Sequence, residues 1–330
     1  MIPNKSYAWK QVISWDFKEL LQTSRKISWE IHGKRLQCFI PGQMVFLGKR
    51  GKYPAISLTG TFCALDCDHC YRRILEGMIP AEKPQSLQEI CRRLDEEGNI
   101  GVLLSGGSDK KGALPWHRFL KSIRWVKRNT RLKISIHTGI IDPATALDLK
   151  DAGVDEVLID VVGSQETMHR VYHLPGGFTA MESSINALAA TELPLIPHIV
   201  VGLHYGQIKG EMYALEMVAK HPISTLVIVV LQPMRQTPME GVRPPEPEIV
   251  ARFVAAARLR IPDVPIALSC ARPPGRHREE TDLLTLAAGV NRIAMPSEAA
   301  LKRAREMGLE MEFHMTCCSS PQEIQAQPEF

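Results

Sequence analysis

Eight short apolar runs recur along the chain, at residues 55–60, 101–105, 132–137, 156–161, 196–202, 225–231, 264–269 and 291–295. They are rich in Val, Ile and Leu and lack polar alternation, as strands buried on both faces do. Most are followed by segments whose apolar residues recur every three to four positions. In 116–129, Phe119, Leu120, Ile123 and Val126 form one helical stripe. Asp142-Pro143 is a helix start, as N-cap and first residue, and Gly153 the matching stop. Strand–helix alternation over this length predicts an α/β chain built as a parallel (β/α)8 TIM-type barrel, residues 54–310. Residues 1–53 read as an N-terminal extension: a polar helix, then a hairpin of 27–31 and 35–40 turning at Gly33. Residues 311–330 show no periodicity and read as an irregular tail.

Composition narrows the class. The chain has 330 residues, 45% hydrophobic and 23% charged, with a net charge of +4. One barrel of ~250 residues with extensions fits this length. So mild a basic balance predicts no nucleic-acid partner. The first ten residues lack the apolar core of a signal peptide. Apolar runs such as 226–231 fall far short of the ~20 residues of a membrane span, so no membrane is expected. Eight cysteines without an export signal predict metal or redox chemistry in a reducing cytoplasm.

The sharpest motif is Cys63-Ala-Leu-Asp-Cys67-Asp-His-Cys70, directly after the first apolar run. Three thiolates so spaced can hold an iron–sulfur cluster, and because a [4Fe–4S] cluster normally takes four cysteines, one iron would stay open. Zinc with a distant fourth ligand, or a redox pair of Cys63 and Cys67, are the alternatives. No second ligand pair follows at short range. Cys91 shares a helical face with Leu87, Ile90 and Leu94 and reads as core.

CX3CX2C with His69 before the last cysteine resembles the signature of the radical S-adenosylmethionine (SAM) superfamily. The resemblance implies that Cys63, Cys67 and Cys70 hold a [4Fe–4S] cluster whose free iron is chelated by SAM. Other strand ends match in order. Ser105-Gly106-Gly107-Ser108 resembles the glycine pair that takes the SAM amino group, although the family usually has Glu or Asp where Ser108 stands. His137 and Asp160 resemble contacts to the ribose and carboxylate of SAM. Gly202, after the fifth run, resembles the adenine-binding glycine.

Radical SAM enzymes with a second cluster include the sulfur-inserting biotin and lipoyl synthases. In these, a 5′-deoxyadenosyl radical removes hydrogen from an unactivated carbon, which then takes a sulfide. Cys270 follows the seventh run, Cys38 lies in the N-terminal extension, and Cys317-Cys318-Ser319-Ser320 lies in the tail. If the terminal segments reach the barrel mouth, Cys38, Cys270, Cys317 and Cys318 would hold an auxiliary cluster. Ser319 is a candidate ligand, as a serine is in the common lipoyl synthase. Scattered thiols are the alternative. Arg272 has two readings: an auxiliary-cluster ligand as in biotin synthase, or a partner for the SAM carboxylate.

Ser57-Leu-Thr-Gly60, Ser105-Gly-Gly-Ser, Ile136-His137-Thr138-Gly139, Ser269-Cys270-Ala-Arg-Pro273 and the terminal Cys-Cys-Ser-Ser resemble the two-component lipoyl synthases of archaea and some bacteria. That resemblance implies an octanoyl-lysine on a lipoyl-carrier domain as substrate. It also implies a paralogous radical SAM partner subunit and an electron donor such as ferredoxin or flavodoxin. A free small molecule, as for biotin synthase, or radical methylation or carbon–carbon bond formation, are the alternatives. Lys121, Arg124, Lys127, Arg128, Arg131 and Lys133 would steer an acidic carrier, or simply form a solvated face.

Overall fold

The computed structural model describes residues 7–42 and 44–320. Ten strands matter to the site: β1 (Arg35–Phe39), β2 (Ala55–Ser57), β3 (Gly101–Ser105), β4 (Lys133–His137), β5 (Glu156–Asp160), β6 (Leu195–Val201), β7 (Leu226–Val230), β8 (Ile266–Leu268), β9 (Arg292–Ala294) and β10 (Glu310–His314). With the short strand Ile79–Pro80 they form one curled, eleven-stranded sheet in the order β10-β1-β9-β8-β7-β6-β5-β4-β3-β2-Ile79–Pro80. All of its pairings are parallel. This is the TIM-like α/β fold read from the apolar runs, each of the eight carrying a strand.

The terminal segments depart from expectation. Residues 27–31 are the end of the helix Phe17–His32, not one arm of a hairpin. Asp16 caps that helix by accepting the Glu19 amide at 2.9 Å, and Leu20, Leu21, Ser24, Ile27 and Ser28 are its buried residues. The run 27–31 is thus half of a helical stripe begun seven residues earlier. β1 is inserted between β9 and β10, with Cys38 opposite both Ile293 and Phe313. Residues 311–314, expected irregular, complete β10, which among the described residues pairs with β1 alone. Past it the chain meets the segment before β2, where Met315 accepts the Lys52 amide at 2.8 Å.

The sheet has two distinct cores. The larger lies between strands and helices and holds Cys38, Val157, Ile199, Ile228 and Leu268. The smaller lies on the concave side: Phe39, Leu158, Ile196, Val227, Ala267 and Ala294 from successive strands, with Cys318 and against it Leu103, Cys270 and Cys317. Residues 316–320 therefore turn back into the barrel interior. Arg292, on the same face as Ala294, donates to the Ser320 carbonyl at 3.1 Å and to Thr225 Oγ1 at 2.9 Å.

Candidate active site

The Ser57 hydroxyl at the end of β2 donates to the Gly60 carbonyl at 2.6 Å, turning the chain into the cysteine loop. That loop is fastened to the turn after β3. The Gly107 amide donates to Thr59 Oγ1 at 2.7 Å, the Ala64 amide to the Ser108 carbonyl at 2.7 Å, and the Ser108 amide to Cys63 Sγ at 3.4 Å. A Cβ on Gly107 would stand 1.9 Å from the Phe62 carbonyl oxygen and 2.6 Å from Cys63 Cα. Glycine is required there for the cysteine loop to seat, a closer neighbour than the ligand expected from sequence. Gly106 is less confined, its nearest neighbour being Thr59 Oγ1 at 3.1 Å.

Cys63, Cys67 and Cys70 line one cavity of about 270 Å³, shared with His69, Gly106, Gly107, Ser108, His137 and Asp160. Its other walls are largely apolar, including Leu103, Ile159, Met168 and Met181. Among the described residues no three His, Cys, Asp or Glu side chains converge as one bare metal ion requires. A hydrogen bond from Cys67 pulls the Cys70 thiol down to about 4, with His69 acting in the same direction against burial. The same bond, with burial, pushes Cys67 up. Of the two, Cys70 is the more readily deprotonated, and the thiolate is the form that ligates metal.

Deeper in the pocket, His137 Nε2 faces Asp160 Oδ1 at 3.5 Å, and the His198 ring lies 5.3 Å from that of His137. Burial alone would raise Asp160, yet His137, then His198 and His69, hold it at about 2. Burial opposes charge on His137, but Asp160 outweighs it and lifts its pKa. His198, penalised by burial and then by His137, falls to about 4. The arrangement is an imidazole–carboxylate pair in which each group favours charge on the other, with His198 disfavoured from charging beside it. His198, first polar residue after Leu195-Ile196-Pro197, was visible in sequence as an interruption of an apolar strand. Tyr172, whose ring tilts against His69 at 5.2 Å, carried no such signal.

Three expected site residues lie elsewhere. Gly202 does not line the cavity. It has φ +80°, donates its amide to Glu211 Oε1 at 2.8 Å, and abuts Pro245, whose Cδ a Cβ would meet at 2.6 Å. Arg272 is fully buried and paired with the equally buried Asp282 at 2.8 Å. Its guanidinium also donates to the carbonyls of Ser269, Ala294 and Met295, leaving it committed to main chain and free for neither SAM nor a cluster. Cys38 belongs to the outer core, because alternation in β1 sends Phe39 inward and Cys38 outward. Cys318 lies in the interior core, with Cys270 and Cys317 packed against that core. Cys317 is drawn down to about 6, first by a hydrogen bond with Cys318, while Cys318 is pushed up by that bond, burial and the fields of Cys317 and Cys270. The Ser319 hydroxyl helps draw Cys317 down, and the Thr316 and Ser320 hydroxyl oxygens are buried with no hydrogen-bond partner.

Residues 57–207 match the Radical SAM superfamily, and 228–327 match the Biotin and Thiamin Synthesis associated domain. A biotin synthase of Clostridioides difficile (strain 630) is 24% identical over 207 residues, 61% of this chain and 63% of that protein. The match thus spans just under two thirds of that curated relative. Methylornithine synthase (PylB) superposes with a TM-score of 0.63 at 19% identity, covering 92% of both chains. The [FeFe]-hydrogenase maturase HydG from Carboxydothermus hydrogenoformans gives 0.63 at 15% identity over 96% of this chain and 78% of that one. At such identities these structures establish the fold. No helix among the described residues is long and apolar enough to cross a membrane.

Proposed function

The chain belongs to the radical SAM superfamily, and we propose that it inserts sulfur at an unactivated carbon of an alkyl chain. Membership implies a [4Fe–4S] cluster and SAM. The donor set fits that pair: Cys63, Cys67 and Cys70 share a cavity, and the Ser108 amide donates to Cys63 Sγ at 3.4 Å, the kind of hydrogen bond that tunes cluster sulfurs. When bound, the reduced cluster and SAM supply a 5′-deoxyadenosyl radical able to remove hydrogen from carbon. Gly107 seats the cysteine loop beside the pocket, Gly106 and Ser108 present main chain to SAM, and the His137–Asp160 pair offers polar partners for its polar groups. The apolar wall of Leu103, Ile159, Met168 and Met181 excludes water and suits a saturated chain.

The observation that carries sulfur insertion is the packing of Cys270, Cys317 and Cys318 on one interior core, near the buried Thr316 and Ser320 hydroxyls. Cys270, Cys317, Cys318 and Ser319 would hold an auxiliary cluster there. The substrate we favour is octanoyl-lysine on a lipoyl-carrier domain, acted on with a paralogous radical SAM subunit and a ferredoxin or flavodoxin. Support for it lies in the sequence features named above. Of the basic residues offered to an acidic carrier, Lys127 and Lys133 are bound to Asp155, and Arg131 to Asp95. Lys121, Arg124 and Arg128 would therefore provide the steering. The similarity to biotin synthase favours a second reading, a free small molecule with the same alkyl chemistry.

The test is anaerobic iron and sulfide content of the wild type and of the Cys63/Cys67/Cys70→Ala variant. Roughly four irons retained in the variant support sulfur insertion; none retained would sink it. Incubation with octanoylated carrier domain or with dethiobiotin then separates the two substrates by mass.

A further inference from the structure

The cysteine loop is tied down at two places, and only the first was foreseeable. Its Cys63 end rests on the turn after β3. Its Cys67–Cys70 end is held through Asp68. The Asp68 amide donates to the Val171 carbonyl at 2.9 Å. Asp68 Oδ1 accepts from His173 Nε2 at 2.9 Å, and Oδ2 accepts from the Tyr205 hydroxyl. With a carboxylate oxygen as partner, His173 Nε2 is the donor. His173 belongs to the connection after β5, beyond the helix Gln165–Arg170, and Tyr205 to the turn after β6. Both are non-glycine residues in the left-handed region, at φ +58° and +51°. Such conformations persist where surrounding contacts over-determine them. The Arg170 guanidinium lies over the Tyr205 ring, 5.3 Å from its centre.

We propose that Asp68 is a positioning residue that joins the cysteine loop to the connections after β5 and β6, and so fixes the SAM-facing wall of the pocket. The connection it grips carries Tyr172, a cavity residue tilted against His69. One carboxylate thereby sets the spacing between the thiols of Cys67 and Cys70 and the opposite wall. Neither Asp68 nor its two partners is a thiol ligand, so loss of the clamp displaces SAM relative to the cluster without removing the cluster. The inference rests on Cys63, Cys67 and Cys70 as the cluster ligands, and not on sulfur insertion.

The experiment uses reconstituted wild type, Asp68→Ala, His173→Ala, Tyr205→Phe and the two pairings of the latter with Asp68→Ala. Iron content, SAM affinity, and the change in the electron paramagnetic resonance spectrum of the reduced cluster on adding SAM are read for each. Asp68→Ala should retain its iron, bind SAM about tenfold more weakly, as loss of a hydrogen bond to a charged group warrants, and show a reduced spectral change. His173→Ala and Tyr205→Phe should each weaken binding alone and add nothing once Asp68 is gone. Should Asp68→Ala not fold, the two single-arm variants carry the same readouts. Unchanged SAM affinity and spectrum, additive effects in the pairings, or iron loss in both single-arm variants would each overturn the clamp. Wild type without iron would remove the cluster assignment and the clamp with it, whereas a normal wild type beside an unaffected Asp68→Ala removes the clamp alone.

Discussion

Cys38 and Phe39 are consecutive in β1 and lie on opposite sides of the sheet, Cys38 under the helices and Phe39 in the barrel interior with Cys318. One residue of strand register divides an inert thiol from the interior group. Burial, and then Asp282, push the Cys38 thiol up to about 12, so it stays protonated. Cys38→Ala is expected to leave iron and sulfide content unchanged, and Cys270→Ala or Cys317→Ala to remove roughly four irons per chain. Anaerobic iron and sulfide analysis of the three variants checks this.

The two thiol sets should separate by activity. Cys67→Ala should abolish cleavage of SAM to 5′-deoxyadenosine, because its loop has no fourth cysteine to substitute. Cys317→Ala should cleave SAM yet release no sulfurated product. Chromatographic quantitation of 5′-deoxyadenosine in both variants decides it; equal loss of cleavage contradicts the division of roles.

Arg272 and Asp282 should act on stability and not on ligand binding. Both are fully buried, and each would strand the other if removed. Arg272→Ala or Asp282→Ala should each cost about 3–5 kcal/mol in denaturant unfolding. Folded Arg272→Ala should bind SAM with unaltered affinity in calorimetry. A weakened affinity with normal stability would restore the carboxylate-binding role read from its sequence position.

Glu156 predicts a pH dependence of stability. Its carboxyl is pushed from 4.5 up to about 7 by burial, against the hydrogen bond from Ser135. The folded chain then holds this proton more tightly than the unfolded one. Stability from this group is full below pH 4.5 and is lost as pH rises to about 7. The loss amounts to about 3 kcal/mol at 1.36 kcal/mol per pH unit. Glu156→Gln, which keeps an acceptor for Ser135, should match wild type in melting temperature at pH 4.5 and exceed it at pH 8. Parallel melting profiles across that range would contradict the assignment.

Legibility followed the range of the forces involved. The eight apolar runs are strands because burial on both faces is written into local composition, and the cysteine loop was visible because its ligands lie within eight residues of one another. The apparent hairpin at 27–40 misled because Ile27 and Ile31 are also one helical turn apart, and the partners that decide between the two periods, Ala288 and Gly289, lie some 260 residues away. Arg272 was misread for the same reason: position after a strand could not reveal that Asp282 and three carbonyls occupy its guanidinium. The Asp68 clamp depends on left-handed backbone at His173 and Tyr205, which neither residue type advertises.

The placement of β1 carries a consequence for how the molecule is made. Its neighbours on both sides, β9 and β10, follow it by more than 250 residues, and the Arg292–Gln37 hydrogen bond spans 255 residues. β1 must therefore wait for its partners while the intervening residues are made. Closure over so long a loop is slow, and an unpaired apolar strand invites association with other chains. Productive yield of this protein should therefore depend on chaperone supply and growth temperature more than its equilibrium stability would suggest.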